Sequence, residues 1–425
     1  MKGKSFAIYA LIVLCVINLL NYVDRYAISS VLKEIGEAFT VDSEALGFAN
    51  SVFLFSFMIF APIISLIVDG LKIKRKWIIA PGIIIWSLAT ALGGFAESYT
   101  QLIITRAFIG IGEASYVATA AGIISDIFPR KWRNIVLMFF YLFIPVGAGL
   151  GFILGGVISD IFDSWRYSFY IVGFPGIIFA ILALTIKEPP RGNSEEGISS
   201  EQLTNYLKQH VRAIDFINIF KIKSWVFGTL GMAMMTFAMG GLGFWIATFT
   251  RYKFGLHAEE AGFLTGIIAI VAGITGTVTG AIIGEFWQKR NSRGYFLISG
   301  ITMLMGFPLT VFCIYTNNLT VLIASLFIAQ FFIFFSTAPG NVIILNVTPP
   351  KIRVAAFAIN VLIIHLIGDA FSPPLMGHIS GKTINESGMI IASFAMIISG
   401  LVYLFGSRYY ADDITNMKKT MIDIN

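Results

Sequence analysis

Lys187-Glu188-Pro189-Pro190-Arg191-Gly192 is the stretch on which the architecture turns. It ends one apolar run, and the next starts only at Trp225. Two prolines followed by glycine stop a helix, because proline lacks an N–H and glycine loses the most backbone entropy on ordering. Before this stop lie six apolar runs, at about 6–32, 46–68, 77–96, 101–125, 134–160 and 168–187. After it lie six more, at about 225–250, 260–286, 294–315, 319–347, 353–381 and 387–408. Each is close to or above the ~20 residues that a helix needs to cross a bilayer. The reading is two six-helix bundles, 1–187 and 225–408, joined by a linker at 188–224 and followed by a tail at 409–425. Within the linker, Leu203, Leu207, Val211, Ile214 and Ile217 recur at near-helical spacing. That pattern predicts an amphipathic helix on the membrane surface, with Lys208, Arg212, Lys221 and Lys223 toward the headgroups.

Composition agrees with an all-α integral membrane protein. Hydrophobic residues make up 56% of the 425 and charged residues only 13%, about half the share of a soluble domain. The net charge of +6 could suggest nucleic acid, but the basic residues form no single patch. With the N-terminus placed inside, 23 of the 30 Lys and Arg fall on the inner side, 5 outside and 2 within the bilayer. That asymmetry is the positive-inside pattern, and an even span count then puts both termini in the cytoplasm. The first outer loop is acidic instead, with Glu34, Glu37, Asp42 and Glu44. Trp77, Trp132, Trp165, Trp225 and Trp287 stand near span ends, where aromatic anchors belong. Cys15 and Cys313 fall inside apolar runs of opposite halves, so no disulfide is expected. The N-terminal run is too long for a signal peptide and lacks a cleavage site, which makes it a retained helix.

Ionisable residues inside spans are costly and point to function. The first span carries Asn21-Tyr22-Val23-Asp24-Arg25, and the fourth carries Arg106 and Glu113 seven residues apart, on one helical face. The two spans run in opposite directions. At ~1.5 Å per residue, Asp24-Arg25 should lie at a depth between Arg106 and Glu113. Two pairs become possible, Arg25 with Glu113 and Asp24 with Arg106. A static clamp between helices would explain them. So would proton coupling, with Glu113 first and Asp24 second as the proton carrier, because a carboxylate released from its arginine can take up a proton.

Other candidates are less sharply marked. In the eleventh span His365 and Asp369 share a face four residues apart, as a proton or substrate site or as a gate. Pro145, Gly147, Gly149 and Gly151 in the fifth span suit close helix approach and a bend, which ordinary packing also explains. Phe244, Trp245 and Thr248 in the seventh span, and Asn341 and Asn346 in the tenth, could line a cavity or simply pack. Asp69 followed by Lys72, Lys74, Arg75 and Lys76 suggests an inner latch, which Asp126 and Glu285 would join. There is no Walker loop, metal-ligand spacing or nucleophile triad, so neither an enzyme nor a cofactor beyond the coupling proton is expected. Gly110-Ile111-Gly112 is not a nucleotide fingerprint, since no strand precedes it.

Two six-helix halves with a central site describe the major-facilitator architecture. Within it, several strings resemble the Spinster family: Asn21-Tyr22-x-Asp24-Arg25-Tyr26, and Arg106-x3-Gly110-x-Gly112-Glu113-Ala114-Ser115-Tyr116. Ile144-Pro145-Val146-Gly147-x-Gly149-Leu150-Gly151, Glu188-Pro189-Pro190-Arg191-Gly192 and the more discriminating His365-Leu366-x-Gly368-Asp369-Ala370-x-Ser372-Pro373 match as well. The loop after the second span departs from the family pattern, with Ser65 and Gly70 where glycine and arginine are typical. Short loops and tails resemble a prokaryotic member, in the plasma membrane.

The resemblance implies transport of a lysophospholipid or sphingoid phosphate such as sphingosine-1-phosphate, with protons as the coupling ion. It makes Asp24, Arg25 and Glu113 a central polar site with Arg106 beside it. Asn21, Tyr22, Tyr116, Trp245, Thr248, Asn341, His365 and Asp369 would contribute to substrate binding, and Asp69, Arg75, Asp126, Pro145, Gly147 and Glu285 to gating. The expected partner is an amphipathic lipid or other small substrate, handled by a monomer. The rival cargo is a small organic anion or drug. A third possibility is a lipid sensor without net transport.

Overall fold

The computed structural model describes residues 2–70, 73–128, 130–188, 218–348 and 352–422. The surface helix expected in the linker therefore lies outside the described residues. So do Lys72 and the side chain of Asp69.

The described chain is helical throughout. Inside lipid no water can satisfy a free N–H or C=O, and a helix pairs its own backbone groups. Among the described residues, twelve helical stretches are long and apolar enough to cross a membrane, from Ser5–Ser30 to Glu386–Met417. Ile178, Ile181 and Ile282 are each more than 60% exposed, as lipid-facing side chains should be.

The chain divides into two compact units. The first comprises Met1–Lys208 and Ile246–Ile270. It holds α1 (Lys2–Ala27), α2 (Leu32–Phe39), α3 (Ser43–Gly70), α4 (Lys76–Gly94), α5 (Tyr99–Ile127), α6 (Arg130–Ile161), α7 (Trp165–Gly173) and α8 (Gly176–Leu184). The helices α9 (Lys223–Phe254) and α10 (Ala258–Arg290) contribute to both units.

Glycines set the closest approaches in the first unit. A Cβ at Gly110 would stand 2.3 Å from the Phe53 carbonyl oxygen, and one at Gly112 would stand 2.6 Å from that of Gly82. The helix α5 is thereby wedged between α3 and α4, so this glycine pair serves packing. On α6, Gly147, Gly151 and Gly155 form a stripe against α1, meeting the carbonyls of Leu19, Val23 and Ala27. Gly149 and Gly156 face the other way, toward Gly266 and Ala258 of α10. Close packing thus accounts for the glycines of the fifth span, and Pro145 lies inside an unbroken α6. The sixth span is split into α7 and α8, with Pro175 between them. Both pieces pack on α4, where Gly173 meets Ser87 and Ala91.

The second unit comprises Gln209–Trp245 and Val271–Asn425. It adds α11 (Gly294–Tyr315), α12 (Leu319–Phe335), α13 (Thr337–Val347), α14 (Arg353–Ile364), α15 (Ser372–Ser380) and α16 (Glu386–Ile422). The tenth span is broken at Ser336, between α12 and α13. The eleventh is interrupted by a wider π-turn over His365–Asp369. The core here gathers Trp225, Met232, Phe296, Ile343, Ile344, Tyr403 and Tyr410.

Candidate functional site

Three of the ionisable residues inside the first unit are nearly inaccessible: Asp24 is 4% exposed, Arg106 1% and Glu113 0%. They come from α1 and α5, from stretches dominated by apolar residues. The α5 start is fixed by Ser98, which caps it by accepting the Gln101 N–H at 3.3 Å.

Arg25 donates through Nη2 to Glu113 Oε2 at 2.7 Å. This is the first of the two pairs that the depth argument allows. The second is not made. All three nitrogens of Arg106 lack a hydrogen-bond acceptor, and Asp24 Oδ1 lacks a donor. Asn21 of α1 is also fully buried, with its side-chain amide beside Glu113. A buried polar atom without a partner costs free energy, and such groups cluster where a site has a task to perform.

Aromatic rings supply what the carboxylates do not. The Arg25 guanidinium carbon lies 4.9 Å from the centre of Tyr22 and 4.8 Å from that of Phe53. Arg106 lies 5.2 Å from the same Phe53 ring. Phe53, on α3, thus touches both arginines, and nothing singles it out in the sequence. Tyr116 stands one turn along α5 from Glu113. Its hydroxyl donates to the Leu14 carbonyl and its ring meets Trp86 edge-on, so it ties α5 to α1.

Elsewhere the candidates separate. Thr248 donates to the Ser29 carbonyl at 3.1 Å, in the first unit. In the second, the Trp245 indole donates to the Pro373 carbonyl at 2.9 Å and is fully buried. Removing that donor alone, as Trp245→Phe, is expected to lower stability by about 1 kcal/mol, read as a small drop in the unfolding midpoint of the purified protein. Asn341 Nδ2 donates to Thr337 of its own helix. Asn346 donates to the Tyr410 hydroxyl. His365 Nδ1 lies 3.0 and 3.1 Å from the two oxygens of Asp369. The π-turn holds these two together, and α9 packs on it so closely that a Cβ at Gly240 would strike Asp369.

Of the expected latch, Arg75 bonds to Asp126 at 2.6 Å and has Glu188 at 3.7 Å. Glu285 instead pairs with Lys289 on its own helix at 2.8 Å, exposed to solvent.

Sequence reasoning missed a further ion pair. Arg251 of α9 grips Glu34 of α2 through both guanidinium ends, one bond being 2.8 Å, and also donates to the Ser30 carbonyl at 3.0 Å. The arginine is 6% exposed. The acidic loop after the first span was the available signal, but nothing in it named its partner. Glu259 N–H bonds to Asp160 at 2.7 Å nearby.

Residues 14–363 match the major facilitator superfamily as a whole. The chain is 34% identical to the protein spinster of Drosophila melanogaster, over 97% of this chain and 69% of the relative. It belongs to the Spinster family of that superfamily. It is 32% identical to the spinster homolog 3 of Danio rerio, over 95% of this chain and 85% of the relative. With the sphingosine-1-phosphate transporter SPNS2 of the same fish it shares 30%, over 93% and 83%. The fold matches the crystal structure of a bacterial homologue of the human lysosomal transporter Spinster, inward-facing and unoccupied, with a TM-score of 0.85. That match covers 96% of this chain and 98% of the other, at 23% identity. This Spinster chain is therefore an integral multi-pass transporter and not an enzyme.

Proposed function

We propose that this Spinster protein moves a single-chain amphipathic lipid, a lysophospholipid or sphingoid phosphate, by alternating access coupled to protons. The observation that carries the reading is the buried cluster of Asp24, Arg25, Arg106 and Glu113, with one ion pair made and the Arg106 guanidinium left without an acceptor. Glu113 is assigned as the proton carrier and Asp24 as the second. Protonation of Glu113 would release Arg25, and a phosphate headgroup suits a freed guanidinium, which can bind it through two parallel N–H···O bonds. Phe53 and Tyr22 give the arginine an apolar resting place between those partners. The naming of relatives as sphingosine-1-phosphate transporters supports the cargo class. His365 and Asp369 are candidates for a further polar contact with the substrate. The distribution of Lys and Arg supports a cytoplasmic placement of both termini, and the short loops support a prokaryotic plasma membrane. The 188–224 segment is assigned as the cytoplasmic linker between the two bundles, and the working unit as a monomer.

The test is flux of sphingosine-1-phosphate and of a lysophospholipid into proteoliposomes, with and without an imposed pH gradient. Gradient-driven lipid flux is the expected result. Lipid flux indifferent to the gradient would leave a facilitator. No lipid flux, with uptake of carboxylates or cationic drugs instead, would replace the cargo. A lipid-induced conformational change without flux would make the protein a sensor.

A further inference from the structure

Phe227 of α9 and Leu401, Val402, Leu404, Phe405 and Arg408 of α16 line a groove of about 470 Å³ on the second unit. Its floor is closed where Gly406 lets α16 approach Phe227, since a Cβ there would stand 2.5 Å from the Phe227 Cβ. Leu401 and Phe405 are 56% and 43% exposed, so the groove opens outward. Everything in its wall is apolar except Arg408.

The depth of that arginine follows from the chain. Ser387–Ser407 carries no charge, and at 1.5 Å per residue such a run is about as long as the hydrocarbon core is thick. Arg408 is the first charge beyond it, at headgroup level. Its guanidinium carbon lies 4.9 Å from the Phe405 ring. A second exposed cation, Lys223, lies 4.7 Å from the ring of Tyr409. The two rings belong to one cluster, with Phe227 stacked on Tyr409 at 5.7 Å and 5.1 Å from Phe405. Arg408 thus rests on a ring of the groove wall itself, and Lys223 rests on Tyr409, which adjoins that wall through Phe227. Of the acids nearby, Asp413 accepts the Ser224 N–H at 2.8 Å and holds the start of α9. Asp412, which is exposed, lies one turn beyond Arg408 on α16.

We propose that this groove binds one two-chain anionic phospholipid of the surrounding bilayer. One acyl chain lies along Leu401, Leu404 and Phe405, and the phosphate is held by Arg408 and Lys223. The site is remote in sequence from the α1 and α5 cluster, and its occupant is a resident lipid rather than cargo.

Native mass spectrometry of the purified full chain, titrated with phosphatidylglycerol or phosphatidylcholine, tests this. Each cation near an anionic lipid contributes about fivefold in affinity, so one phosphatidylglycerol should bind about 25-fold more tightly than phosphatidylcholine. Arg408→Gln and Lys223→Gln should each lose about fivefold of that preference, and Arg408→Lys should keep most of it. Leu401→Trp, which fills the groove, should lose the tight site for both lipids. Arg290→Gln is the control, because Arg290 is an exposed cation resting on Phe286 away from the groove. Equal affinity for the two lipids would overturn the proposal. So would a loss in Arg408→Gln or Lys223→Gln no greater than in Arg290→Gln.

Discussion

Glu113→Ala is expected to abolish transport and to lower stability by about 3–5 kcal/mol, because it removes one partner of a buried ion pair. The Arg25 guanidinium would then remain charged and buried against the rings of Tyr22, Phe53 and Phe57. Glu113→Gln should be milder for the fold, since an amide oxygen can still accept from Arg25. It should nevertheless lose gradient-driven flux, because an amide takes up no proton. The double variant Arg25→Met with Glu113→Leu separates the two explanations of the pair. Replacing both members of a buried ion pair by apolar groups of similar size is often neutral or stabilising. The double variant should therefore recover the unfolding midpoint and still fail to transport. If it transports at the native rate, with the native response to pH, the pair is only a clamp between α1 and α5.

This pair was legible in the sequence for a simple reason. Two charged residues on antiparallel spans can be compared in depth by counting residues, and the rise per residue is fixed. The twelve spans were legible on the same footing, from length and hydropathy alone. Depth does not settle direction around the helix, however. Asp24 and Arg106 fall at compatible heights, yet no hydrogen bond joins them. Phe53 was invisible for a different reason. It is one of 39 phenylalanines, and only the packing of α3 on α5 through Gly110 shows that its ring serves both arginines. The breaks inside the tenth and eleventh spans were missed because unbroken hydropathy masked their prolines. Pro339 cannot donate to the carbonyl of Phe335, nor Pro373 and Pro374 to those of Asp369 and Ala370, and the helices break at those points. At Glu285 the observed partner is a lysine four residues away on the same helix, a local pairing that the sequence spacing also offers.

Arg251 and Glu34 stand 217 positions apart, so no local pattern could join them. Their separation is expected to produce the second large effect. A bidentate, partly buried arginine–carboxylate contact contributes roughly 1.5–3 kcal/mol, which is about 10- to 150-fold in the balance between two conformations. Arg251 joins α9 to α2 and to the Ser30 carbonyl, one turn along α9 from Thr248, which bonds to the neighbouring Ser29 carbonyl and is 1% exposed. Glu34→Ala or Arg251→Ala should loosen this end of the first unit and expose Thr248. The readout is alkylation of Thr248→Cys by a membrane-impermeant maleimide, with the buried Cys15 and Cys313 replaced by alanine. Labelling should rise at least tenfold in either single variant, and lipid flux should fall. The charge-reversed double variant, Glu34→Arg with Arg251→Glu, can remake the ion pair although not the bond to Ser30. It should therefore bring labelling part of the way back. A double variant that labels as fast as the singles would mean that Arg251 acts through its packing and its bond to Ser30, and that the carboxylate of Glu34 contributes nothing to holding this end closed.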